Sequence, residues 1–71
     1  MPANEPVSVN ARGMKCPWPV LRAARAMRGA DAVLVEADDP IASVELAALA
    51  KAQGWSFEAL DEDRFSLRRT G

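Results

Sequence analysis

The chain has 71 residues, nearly half of them hydrophobic, with a net charge of −1, one cysteine and no histidine. A chain this short holds one domain, and folding buries only about 60% of its unfolded surface, so the core is small and a deep catalytic cleft is excluded. One cysteine without histidine also excludes an internal disulfide, a Cys/His zinc site, a Cys–His nucleophilic pair and a dithiol redox centre.

Residues 1–6 contain two prolines, Asn4 and Glu5, and read as a flexible tail before a single domain over 7–71. Val7 to Ala11 alternate as a first strand with Val7 and Val9 inward. Arg12-Gly13-Met14-Lys15 is a turn in which Gly13 is free to take positive φ. The spacing predicts a helix over 17–28, with Val20, Leu21, Ala24 and Met27 as its apolar stripe and Gly29 as its stop. Arg22, Arg25 and Arg28 share the opposite face.

Residues 32–37 are a continuous apolar run, the pattern of a buried strand. Asp39 and Pro40 suit the N-cap and first position of a second helix reaching about Gln53, with Gly54 after its end. Ile41, Val44, Ala48 and Leu49 are its expected core contacts. Strands over 55–60 and 64–69 follow, joined by the acidic loop 61–63, with Trp55 and Phe57 directed to the core. The order β-α-β-α-β-β predicts an α+β fold: a two-layer α/β sandwich in which two helices cover one face of a four-stranded mixed sheet. The first βαβ crossover is expected to be right-handed.

Cys16 falls between the first strand and the first helix, at the sheet edge where α/β proteins place ligands. As N-cap residue its sulfur would face the positive helix end, which favours thiolate, and Lys15 and Arg12 would add to that field. Pro17 and Pro19 would then be the first and third helical residues and would leave only the Trp18 amide as a donor. A rigid helix start poor in donors predicts a thiol pKa lowered only moderately. A lone cysteine is usually a small buried hydrophobe, but a turn position between Lys15 and Pro17 is an unusual place for core. Such a thiol, without an internal base, suits a carrier whose partners supply the catalytic groups.

Other residues have two readings each. Trp18 either packs on the sheet edge or stands exposed as an anchor for a partner. Arg22 and Arg25 are either a solvated face or a docking stripe for an acidic partner. Asp38 is a helix-capping acid or, if the first two strands are parallel, a neighbour of Cys16 that repels anions or orients a partner. Basic residues concentrate in the first 30 positions and nine acids in the remainder. The negative net charge, and aromatics that do not interleave with the basic run, argue against direct nucleic-acid binding. The first residues hold no apolar run suited to a signal peptide or membrane span, and a cytoplasmic protein is expected.

The stretch Arg12-Gly13-Met14-Lys15-Cys16-Pro17-Trp18-Pro19-Val20-Leu21 resembles the signature of the TusA/SirA-like sulfur-carrier family, a Gly-x-x-Cys-Pro-x-Pro element opening the first helix. Asp38-Asp39-Pro40 matches a second family segment, and the resemblance spans residues 7–69. It implies a βαβαββ sandwich and a sulfur carrier in which Cys16 holds sulfur covalently as a persulfide, with no separate cofactor or metal. Gly13, Pro17, Pro19 and Asp38 would shape the site, while Arg12, Met14, Lys15, Trp18, Arg22 and Arg25 would meet partners. Those partners would be a protein donor, a cysteine desulfurase or rhodanese-type protein, and a protein acceptor in tRNA thiolation, molybdenum-cofactor synthesis or sulfur metabolism. The chain itself is expected to be a monomer. Two departures stand out: Asn10 replaces a frequent Asp, and Glu45-Leu46-Ala47 replaces an Asp-Ile-Pro-like segment. A non-catalytic regulatory module of the same fold is the alternative.

Overall fold

The computed structural model describes residues 6–70, so the expected tail lies outside the described residues except for Pro6. The elements are β1 (Val7–Asn10), α1 (Trp18–Met27), β2 (Ala32–Glu36), α2 (Ala42–Gln53), β3 (Ser56–Ala59) and β4 (Arg64–Arg68). The sheet order is β1-β2-β4-β3. β1 runs parallel to β2, while β4 is antiparallel to both β2 and β3. This is the two-layer α/β sandwich with a mixed sheet that the element order predicts.

The continuous apolar run of β2 follows from its central place between β1 and β4. Its Val33 and Val35 join Val9, Ala11, Ala37, Phe65 and Leu67 on the face that meets the helices. Against them lie Ala23 and Met27 of α1 and Ala42, Leu46 and Ala50 of α2. Each large side chain buried here contributes about 1.5–3 kcal/mol. Phe57 of β3 stacks on Phe65 with ring centroids 6.0 Å apart, and Trp55 packs on the rim of this core. Gly54 closes α2 at φ +77, a left-handed angle that glycine takes without steric cost.

The helical stripes match the expected ones only in part: Met27 is buried and Val20 and Leu49 pack against the core, but the other buried positions differ. In α1 the buried residues are Pro19, Ala23 and Met27, while Leu21 stands exposed. In α2 they are Ala42, Leu46 and Ala50, while Ile41 is 47% and Val44 69% exposed. The layer between helices and sheet accepts mostly small side chains, so alanine and proline occupy positions that size alone assigns to leucine and valine. The alanine-rich α2 has apolar residues all round, so its periodicity defines no single face.

Candidate functional site

Because β1 and β2 are parallel, their C-terminal ends share one edge, and the loop after β1 meets the turn after β2. The Ala11 amide donates to the Glu36 carbonyl at 2.8 Å and prolongs that pairing by one residue. The chain then reverses at Gly13, whose φ of +80 is the positive angle anticipated for it. Its amide donates to both Asp38 oxygens, at 3.0 and 3.2 Å.

Cys16 follows as an exposed free thiol. It lies one residue before the helix cap: Pro17 is the N-cap of α1, Trp18 the first helical residue and Pro19 the buried second. The Cys16–Pro17 peptide bond is cis. The Trp18 amide, the donor expected for the sulfur, instead donates to the Lys15 carbonyl at 2.9 Å. Two acids of the neighbouring segment take hold of Cys16. Its amide donates to Asp39 Oδ2 at 2.8 Å, and its Sγ donates to Glu45 Oε2 at 2.9 Å.

This arrangement reverses the expected electrostatics. The hydrogen bond to Glu45, some loss of solvation and the charges of Glu45 and Asp39 all push the thiol pKa up rather than down. A carboxylate bonded to sulfur outweighs a helix start whose first amides are lost to proline or turned to Lys15. Asp39 itself is held below the ordinary carboxylate range, because it accepts the Cys16 and Ile41 amides and faces Lys15.

The remaining candidates divide into those beside the sulfur and those placed elsewhere. Lys15 and Trp18 flank it, and Trp18 is 59% exposed rather than packed on the sheet edge. Met14 packs against the core, with its Sδ 4.0 Å from Arg22 Nη1. Arg22 and Arg25 are exposed on α1. Arg12 does not add to the field at Cys16: its guanidinium bonds Glu36 at 3.2 Å and Asp63 at 3.3 Å, which raises its pKa further. Asp38 holds Gly13, so Asp39 is the acid of that pair that touches Cys16, and it does so while supporting the turn before α2. Ile41, not Asp39, is the N-cap of α2.

Sequence reasoning did not single out Glu45. Two signals were available: the departure at Glu45-Leu46-Ala47, and the position of an acid in the first turn of a helix whose N-terminus lies at the edge carrying Cys16. Ile41 and Val44 were also missed as surface residues. With Trp18 and Leu21 they are exposed large apolar side chains at the N-terminal ends of the two helices.

Among the described residues, no group of His, Cys, Asp and Glu is arranged to hold a metal ion, and no helix is long and apolar enough to cross a membrane. A family model described as sulfurtransferase TusA matches residues 7–68. The structure is similar to that of a SirA-like protein from Desulfitobacterium hafniense, with a TM-score of 0.80 and 27% identity over 92% of this chain and 99% of that one. No curated protein matches the sequence. The match to nearly the whole domain, on a fold shared with a SirA-like protein, means that the chain belongs to the TusA family, whose role is that of sulfur carriers working between protein donors and acceptors.

Proposed function

We propose that Cys16 carries sulfur as a persulfide, received from a protein donor of the cysteine desulfurase or rhodanese type and passed to a protein acceptor. The observation that carries this reading is the placement of an exposed free thiol at the sheet edge, in the Cys-Pro-x-Pro segment and between two helix ends that present apolar side chains. Trp18, Leu21, Ile41 and Val44 offer the kind of exposed apolar surface that marks a docking site. Lys15, Arg22 and Arg25 supply charge around it for orientation. Gly13, Pro17, Pro19 and Asp38 act indirectly, by fixing the loop and the helix start.

Loading is a sulfur exchange without net oxidation. Cys16 Sγ attacks the terminal sulfur of the donor persulfide, a new S–S bond forms and the donor's own S–S bond breaks. The donor's inner sulfur leaves as thiolate and takes up the proton that Cys16 gives up. Cys16 thiol and donor persulfide thus become Cys16 persulfide and donor thiol. Onward transfer repeats the step on an acceptor thiol. Sulfur is held covalently, and no separate cofactor takes part. The protein works as a cytoplasmic monomer, a compartment in which a free thiol stays reduced, and it does not bind nucleic acid directly.

The test is intact mass after incubation with a cysteine desulfurase and cysteine. One added sulfur atom, removed by reductant and absent in Cys16→Ser, is the expected outcome. An unmodified Cys16 across desulfurase and rhodanese-type donors would assign the chain to a non-catalytic binding role.

A further inference from the structure

Glu45 reaches Cys16 from a separate element. It projects from the first turn of α2, where its amide is fixed by the Ile41 carbonyl at 3.1 Å, and its Oε2 accepts from Cys16 Sγ at 2.9 Å. The charges around the sulfur come from three segments. Asp39, on the turn before α2, bonds the Cys16 amide, and Lys15 precedes the cysteine and faces Asp39. Glu45 is the group on the sulfur itself. Asp38 is turned to Gly13, Arg12 to Glu36 and Asp63, and Arg22 to Met14, so each of these is committed away from Sγ. The first turn of α1 carries no acid.

We propose that Glu45 is a specificity-determining residue for sulfur transfer: it holds the proton on unloaded Cys16 and so withholds the thiolate from small persulfides and disulfides. This deepens the sulfur-carrier reading and rests on it. Thiolate is the attacking form, and a carboxylate hydrogen-bonded to the sulfur favours the neutral thiol. A docked protein donor relieves the restraint by setting a lysine or arginine side chain against Glu45. The carboxylate then pairs with that cation, and Cys16 gives up its proton to the departing donor thiolate as the S–S bond exchanges. A small persulfide brings no such cation and meets a protonated sulfur. The exposed apolar side chains of Ile41 and Val44, on the same helix end, are the contacts through which a donor surface reaches Glu45.

The experiment compares the full chain with Glu45→Gln, which keeps an acceptor at the same place and removes its charge. Alkylation of Cys16 by iodoacetamide is followed from pH 6 to pH 10. Loading is then followed by intact mass with glutathione persulfide and, separately, with a cysteine desulfurase plus cysteine. The alkylation midpoint of E45Q is expected at lower pH, with several-fold faster alkylation at pH 7, because each unit by which the midpoint falls raises the thiolate fraction about tenfold. The ratio of desulfurase loading to glutathione persulfide loading is expected to fall several-fold. An unchanged midpoint or an unchanged ratio overturns the proposal. If E45Q does not fold, the wild-type chain is alkylated folded and in urea, and a folded midpoint no higher than the unfolded one overturns it equally. Failure of wild-type to load from any donor would instead sink the carrier reading, while the alkylation profiles would still report what Glu45 does to the sulfur.

Discussion

Asp39 joins the cysteine loop to the start of α2: one carboxylate oxygen accepts the Cys16 amide at 2.8 Å and the other accepts the Ile41 amide at 3.1 Å. Its pKa is lowered from the ordinary 3.8 by these two bonds. The folded value lies below the unfolded one, so the unfolded chain binds more protons between the two. The stabilisation is therefore complete above pH 3.8 and is lost as pH falls from there through the folded value. Asp61, lowered by Arg64, contributes in the same sense. Urea midpoints measured from pH 7 to pH 2.5 are expected to decline less steeply in Asp39→Asn than in wild-type, with Asp61 contributing to the decline that remains. Amide exchange at Cys16 and Ile41 is expected to quicken in Asp39→Ala.

Leu46 is fully buried on the face of α2 that meets the sheet. Leu46→Ala leaves a cavity among side chains that cannot collapse into it, at a cost of about 2–5 kcal/mol. For a domain of this size each kcal/mol lowers Tm by about 4–8 °C. Thermal unfolding by circular dichroism is the check. Val44→Ala, two residues earlier on the exposed side, is expected to leave Tm close to wild-type.

Gly54 has open space where a Cβ would sit, so strain rather than collision sets the cost of substitution. At φ +77 an alanine is disfavoured by roughly 1–2 kcal/mol. Gly54→Asn, which tolerates the left-handed region better, is expected to lose less than Gly54→Ala in the same denaturant series.

Arg22 and Arg25 stand exposed on α1 without a salt bridge among the described residues. If they steer donors, Arg22→Glu with Arg25→Glu slows sulfur loading several-fold at low salt, and the difference shrinks at high salt as screening removes the steering. Trp18→Ala is expected to weaken the donor complex at all salt concentrations while leaving Tm nearly unchanged, because the indole is mostly exposed. Loading rates measured against donor concentration at two ionic strengths separate the two effects.

How far the sequence alone reaches is visible at particular residues. Gly54 and the run from Ala32 to Val35 declared their conformations through left-handed freedom and unbroken apolarity, which are local properties. The Cys-Pro-x-Pro segment placed the thiol at a helix start for the same reason: prolines restrict their own neighbours whatever surrounds them. The buried faces of the helices were legible only in part: Met27, Val20 and Leu49 met the core as expected, but which alanine meets the sheet depends on how closely two layers approach. The charge state of Cys16 was not legible either. Its bonds run to Asp39 and Glu45, 23 and 29 residues away, and those distances close only when β1 and β2 pair in parallel and bring α2 to the same edge. The sequence by itself determined that one thiol stands at the mouth of a βαβ unit. The tertiary structure decided that a carboxylate rather than a helix dipole sits on the sulfur, because electrostatics follows distance in space and not along the chain.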